Sequence, residues 1–228
     1  MTADAPARAG FGEVFAVTEF RALWLAQSLS VIGDQLARVA LTVLVYDRTR
    51  SPLLAAVTFA ASVIPAFIGG VALSGLADRW PRRQVMIGAA LVSGGLVAVM
   101  VIPGVPLAVL VALLFAVTLV GAVSVAAKSA ILPEILPGDQ YSVGTAVSVA
   151  TLQFTQVAGF AAGGGVVAFL GARGCLMLDA VTFAVAALIF QVWVRARPAA
   201  VAPTTAPDRR AAAGPSSRGR QARPRLVS

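Results

Sequence analysis

A chain of 228 residues that is 58% hydrophobic and 12% charged, with a mean hydropathy of +0.86, cannot cover a folded domain with water-facing side chains, which excludes a soluble globular protein. The formal charge of +8 and pI near 11.4 would point to nucleic acid in a soluble chain, but here most of the arginines stand in loops and in the tail, where they set membrane topology, so no nucleic-acid partner is expected. With no His and a single Cys175, imidazole acid–base chemistry, multi-thiolate metal sites and an internal disulfide are excluded, and the chain reads as a non-enzyme without metal or cofactor.

Residues 1–19 carry Asp4, Glu13 and Glu19 among small side chains and lack the basic-then-apolar pattern of a cleavable signal, so the first span itself would direct insertion. That span is predicted over 20–46, with Phe20-Arg21-Ala22-Leu23-Trp24 at one interface and Tyr46 at the other. Residues 47–52 form a short outer turn. The second span covers 53–76, where Pro65 and Gly69-Gly70 are tolerated because neighbouring helices re-satisfy the backbone. The stretch Gly75-Leu76-Ala77-Asp78-Arg79-Trp80-Pro81-Arg82-Arg83 packs charged and helix-breaking residues between two apolar runs, each long enough to cross a bilayer. It is a tight hairpin, and its arginines assign it to the cytoplasmic side.

The third span covers 85–101, and Pro103-Gly104-Val105-Pro106 is an uncharged outer turn. The fourth runs over 107–127 and closes at Lys128, which can snorkel to the inner interface. Residues 129–141, with Pro133, Glu134, Pro137, Gly138 and Asp139, break the helical pattern and are predicted as a longer inner loop. A fifth span over 143–170 and a sixth over 176–194 flank the turn Gly171-Ala172-Arg173-Gly174.

Six spans put both termini on one side. That side collects Arg8, Arg21, Arg79, Arg82, Arg83, Lys128 and every arginine after Val194, against Arg48, Arg50 and Arg173 on the other, so both termini are expected in the cytoplasm. Gly69-Gly70-Val71 before Ala77-Asp78 and Gly164-Gly165-Val166 before Ala172-Arg173 repeat at equal spacing on opposite membrane faces, as an inverted repeat of two three-helix groups requires. The chain thus divides into a cytoplasmic lead (1–19), an all-α six-helix transmembrane domain (20–194) and a basic tail (195–228). The tail is rich in Arg, Ala, Pro, Gly and Ser without periodicity and is expected to be disordered. Its makeup fits a linker, an arm for anionic lipid, or out-of-frame translation after a disrupted gene.

The strongest intramembrane signal is in the first span. Counting from Trp24, Asp34 lies about 15 Å deep, near the bilayer centre. A charge there costs about 2.5 to 3.5 kcal/mol unless it is paired, protonated or facing a wet cavity. Gln27, Ser30, Asp34 and Arg38 recur every three or four residues as one polar stripe, expected to face a substrate and proton cavity with Gln153 and Gln156 of the fifth span. Asp34 then either titrates protons or contacts a cation, or it forms a structural pair with Arg38. Gly159, Gly163 and Gly164 form a ridge for close helix packing. Asp179 is placed one turn inside the sixth span on the outer side, stabilised by the positive helix end.

The spacing of Gly75, Asp78, Arg79, Arg82 and Arg83 between the second and third spans resembles the signature loop of the major facilitator superfamily. Phe20 to Trp24, Gly33-Asp34, Leu132-Pro133-Glu134 and Leu178-Asp179-Ala180-Val181-Thr182-Phe183 are similar to the enterobactin-exporter-like branch of drug and siderophore exporters, over residues 20–194. The resemblance implies the N-terminal half of the twelve-helix fold and rocker-switch export of small amphipathic molecules, driven by protons, from a bacterial inner membrane. It implies that Asp78 and its arginines latch the two halves on the cytoplasmic side. The glycines of the fifth span resemble the antiporter motif, with Gly164 where that motif has proline. Three readings follow: a truncated exporter whose C-terminal six-helix half is missing, a half-transporter that works with a second copy of itself, or a non-transporting membrane interaction protein or gene remnant.

Overall fold

The computed structural model describes residues 10–62 and 80–197, and the architecture is all-α. In chain order the helices are α1 (Phe11–Ala16), α2 (Thr18–Thr49), α3 (Pro52–Ala61), α4 (Arg82–Val101), α5 (Leu107–Ile135) and α6 (Asp139–Trp193). Four of them, α2, α4, α5 and α6, are long and apolar enough to cross a membrane. The predicted second span is represented by α3. Pro65, Gly69 and Gly70, and with them the first copy of the predicted repeat, lie outside the described residues.

The 55-residue α6 supplies two crossings, because Gly171 (φ 72°, ψ 162°) breaks it in a backbone region open essentially to glycine alone. Both of its ends lie at the same end of the bundle. Near its start, Gly144 packs against Leu136, Phe20 and Val14. Near its finish, Arg83 at the start of α4 reaches the carbonyls of Phe190 and Gln191. The chain therefore folds back at Gly171, and the described crossings run between a near end, holding α1 and the α5–α6 turn, and a far end, where Arg48 donates to the Val105 carbonyl at 2.8 Å.

Three boundaries differ from the sequence expectation. The first crossing runs past Tyr46 to Thr49 and stops at Arg50, whose left-handed conformation (φ 53°) lets its N–H close on the Tyr46 carbonyl at 2.7 Å. Ser51 then caps α3, accepting from the Leu54 N–H, with Pro52 in the first turn, where its missing N–H costs nothing.

Second, the fourth crossing does not end at Lys128, and the predicted inner loop over 129–141 shrinks to three residues. The helix continues through Pro133 to Ile135 because Ile131, Leu132, Ile135 and Leu136 are buried, so packing holds the last turns. The carbonyl that Pro133 leaves without a partner belongs to exposed Ser129, near the helix end. Third, the turn predicted over 171–174 contracts to Gly171 alone.

The core is a continuous cluster running from Val14, Phe20 and Leu23 at the near end to Val45, Val97 and Leu110 towards the far end. Many large apolar side chains remain outside it, among them Phe154, Val157, Phe169 and Leu188, as expected of helices facing lipid tails. Since lipid is as apolar as leucine, burial does not drive these helices together. Close fit does, and small residues provide it. A Cβ on Gly159 would come 2.8 Å from the Gln35 Cβ, and one on Gly163 would come 3.0 Å from Val39 Cγ2, so α6 presses its backbone directly onto α2.

Candidate functional site

Between the helices lies a cavity of about 690 Å³. Its polar side is built by α2, whose Gln27, Ser30, Asp34 and Arg38 all line it. α4 adds Ser93, α5 adds Thr118 and Ser124, and α6 adds Gln156. Its apolar side is aromatic: Phe59 of α3 meets Phe160 of α6 at a centroid distance of 5.7 Å, and Phe183 and Phe190 line the wall contributed by the returning arm. Gln153, grouped with Gln156 in the sequence, is exposed on α6 and does not line the cavity.

Arg38 and Asp34 share the cavity without joining. Arg38 Nη1 donates to Gln35 Oε1 at 3.3 Å. The ion pairs among the described residues link only Arg82, Arg195 and Arg197 to Glu19 and Glu134, so neither Asp34 nor Arg38 takes part in one. Gln35 was not singled out in the sequence because it lies off the polar stripe, next to Asp34. It is 1% exposed, and its Nε2 has no hydrogen-bond partner among the described residues.

Asp179 stands elsewhere than its sequence position implied. It is not near an outer helix end but about two turns into the returning arm of α6, 1% exposed, packed against Gly33 of α2. A Cβ at Gly33 would run into the Asp179 carboxylate and the Thr182 hydroxyl, so the two helices meet here with no room for a side chain unless these groups shift. Thr182 Oγ1 donates to the Asp179 carbonyl at 2.7 Å and leans on Oδ1 at 3.3 Å, while Oδ2 has no partner among the described residues. The backbone of Asp34, next to Gly33, thus runs beside a second buried acid. The Gly33-Asp34 pair was the available signal, because a mid-span glycine beside an acid marks a close helix approach.

Lys128 also departs from expectation. It does not close α5 but stands two turns before its end, where it lines a small void of about 10 Å³ with Trp24, Gln27 and Ser148. Trp24 Nε1 donates to Thr151 Oγ1 at 3.0 Å beside it, and Ser148 Oγ is buried without a partner among the described residues. Of the packing glycines, Gly159 and Gly163 face α2, whereas a Cβ on Gly164 would meet none of the described residues within 4 Å.

Of the signature loop, Gly75, Asp78 and Arg79 lie outside the described residues. Arg82 and Arg83 are engaged within this bundle. Arg82 pairs with Glu134 and donates to the Ala130 carbonyl at 2.9 Å, tying α4 to α5, and Arg83 holds the last carbonyls of α6. The segment after α6 joins them. Arg197 Nη2 lies 2.6 Å from Glu19 Oε2 and Arg197 Nε lies 3.6 Å from Glu134 Oε2, while the Arg195 N–H donates to Glu19 at 3.1 Å. Residues that the sequence assigned to the tail therefore clasp the near ends of α2 and α5.

Among the described residues no group of three or more His, Cys, Asp or Glu could hold a metal ion. Comparison with curated proteins and with solved structures gives no match. The family comparison does: a profile described as Major Facilitator Superfamily matches residues 23–226. An all-α bundle around a cavity agrees with half of that fold, and the chain belongs to the major facilitator superfamily, whose members are transporters and not enzymes.

Proposed function

We propose that the chain is one half of a secondary exporter that moves small amphipathic molecules, drugs or siderophores among them, out of a bacterial cell in exchange for protons. The observation that carries this reading is the placement of Asp34. Its carboxylate lies near mid-span, lines the central cavity and takes part in no described ion pair, so its ionisation is open to protons and to ligands that reach the cavity. An acid in such a place is costly to stability and is retained where it serves a path.

The near end, with its arginines, faces the cytoplasm of the inner membrane, and the far end faces out. Rocker-switch exchange needs a second six-helix bundle across the cavity, supplied by a C-terminal half or by a second copy of the chain. The latch role of Asp78 and Arg79 belongs to this proposal. So does the adaptation of Arg82 and Arg83 to hold the near end of this bundle together while the halves rock.

Inverted membrane vesicles containing the chain and its partner bundle test it. An imposed pH gradient should drive uptake of an amphipathic dye, and a protonophore should abolish it. Uptake indifferent to the protonophore would remove proton coupling, and no uptake by the assembled pair would favour a non-transporting interaction protein. Cysteine labelling at Ser51→Cys should be possible only from outside; labelling from the cytoplasm alone would reverse the orientation.

A further inference from the structure

Arg38 and Gln35 form an array of donors that the acceptors among the described residues do not fill. Arg38 has five N–H donors in a planar fork, and one of them holds Gln35 Oε1 at 3.3 Å. That bond fixes the amide orientation, since only the oxygen can accept, and it leaves Gln35 Nε2 as a buried donor with no partner among the described residues. Both side chains line the cavity. A buried donor left unsatisfied in a membrane interior is expensive, and a guanidinium more so, so the array suits a ligand that brings lone pairs. Two convergent N–H groups on a planar fork match a carboxylate better than any neutral acceptor.

The opposite pole is on the same helix. Asp34 stands one turn earlier, about 6 Å along the axis, in the same cavity and outside the described ion pairs. No described ion pair joins Asp34 to Arg38, one of whose N–H groups is held by Gln35. The rings of Phe59, Phe160 and Phe183 line the same space.

We infer that the cavity takes a zwitterionic amphiphile, an amino-acid-like molecule with an aromatic or large apolar body, whose carboxylate is read by Arg38 and Gln35 and whose ammonium rests on Asp34. This rests on the reading of the cavity as the substrate path. It adds the carboxylate subsite. It also links the two functions of Asp34: a proton and an ammonium compete for one carboxylate, so substrate binding expels the proton, as exchange requires.

Binding to the full chain in phosphatidylcholine nanodiscs tests it, with four probes that share one naphthyl body: naphthylalanine (zwitterion), naphthylpropionate (carboxylate only), naphthylethylamine (amine only) and naphthylpropanol (uncharged). The zwitterion should bind tightest, and loss of its carboxylate should weaken binding roughly tenfold. Arg38→Gln should erase the carboxylate advantage and leave the amine advantage, and Asp34→Asn should do the reverse. Gln35→Leu, which keeps the Arg38 charge, should by itself remove part of the carboxylate advantage, and it decides the matter if Arg38→Gln does not fold. The inference is overturned if naphthylethylamine binds as tightly as naphthylalanine, if the carboxylate advantage survives both Arg38→Gln and Gln35→Leu, or if no probe binds. Proton-driven efflux with no carboxylate preference would remove this subsite and leave export standing. A carboxylate preference without proton-driven efflux would do the opposite.

Discussion

The middle of α2 and the near end of the bundle are both rich in charge, and they use it in opposite ways. At the near end every described acid that touches an arginine is paired: Glu19 with Arg195 and Arg197, and Glu134 with Arg82 and Arg197. These groups lie at or just beyond helix ends, Glu134 keeping 40% of its side-chain surface exposed and Arg195 86%, while Arg82, Arg197 and Glu19 are more covered. Where the middle of α2 meets the returning arm of α6, Asp34 and Arg38 stand outside those pairs, and among the described residues Gln35 Nε2 and Asp179 Oδ2 are buried without partners, as one Arg197 nitrogen is at the near end. Charge at the near end joins helices, while charge at mid-span takes part in no described ion pair. Polar groups placed where they cost most and stabilise least are the ones to assign to ligand and proton.

The sharpest way to break this contrast is Asp34→Asn. If the middle of α2 is functional, the substitution should abolish proton-driven uptake into inverted vesicles while leaving the folded fraction nearly unchanged, since Asn keeps the shape and loses only the titrating group. Uphill uptake that persists would make Asp34 a structural residue. Next is Gly33→Ala, which places a methyl against Asp179 and Thr182. The α2–α6 crossing should then loosen or shift at a cost of about 1–3 kcal/mol, readable as a lower midpoint in thermal or denaturant unfolding in detergent. An unchanged midpoint would mean that the contact yields freely.

Arg197→Ala tests the other region. Exposed ion pairs contribute about 0.2–1 kcal/mol each; the Arg197 pairs are partly buried, so the loss should reach the upper end of that range and should shrink in high salt. A loss as large at high salt as at low salt would show that the near end is held by packing and not by charge. Smallest is Gln35→Leu, which replaces an unsatisfied buried amide by an apolar side chain of similar size. Stability should change by less than about 1 kcal/mol, or improve, even as ligand binding weakens. A large destabilisation would mean that the Arg38–Gln35 bond is structural.

How far the sequence could be read follows the same division. Hydropathy locates the long described helices, because a run of apolar residues carries its own length, and the stripe from Gln27 to Arg38 lies on the cavity wall, because a helix turns with a fixed period. What the sequence hides is which helices face each other. Asp179 looked like a helix-end residue until Gly33 was seen to press against it, and Gln35 is off the stripe by one residue yet within reach of Arg38. The clasp of Glu19 by Arg197 joins residues 178 positions apart, and no local pattern announces it. Pro133 misled for a different reason: a breaker in the last turn of a helix takes away one bond that the turn can lose, while the buried Ile131, Leu132 and Ile135 hold the helix beyond it.

Gly171 gives the last two crossings a mechanical relation that the others lack. Every other described link between crossings has residues to spare, whereas here one residue reverses the chain and leaves no slack. The arms of α6 are thus joined as the arms of a pair of forceps are, at the far end only, and their tips are held separately, one where Gly144 packs on Val14 and Leu136, the other where Arg83 grips the carbonyls of Phe190 and Gln191. Gln156 lies on one arm, and Phe183 and Phe190 on the other, so the angle at the joint sets the width of the cavity between them. A lengthened joint, made by inserting glycines after Gly171, would leave both arms in the membrane and uncouple their spacing.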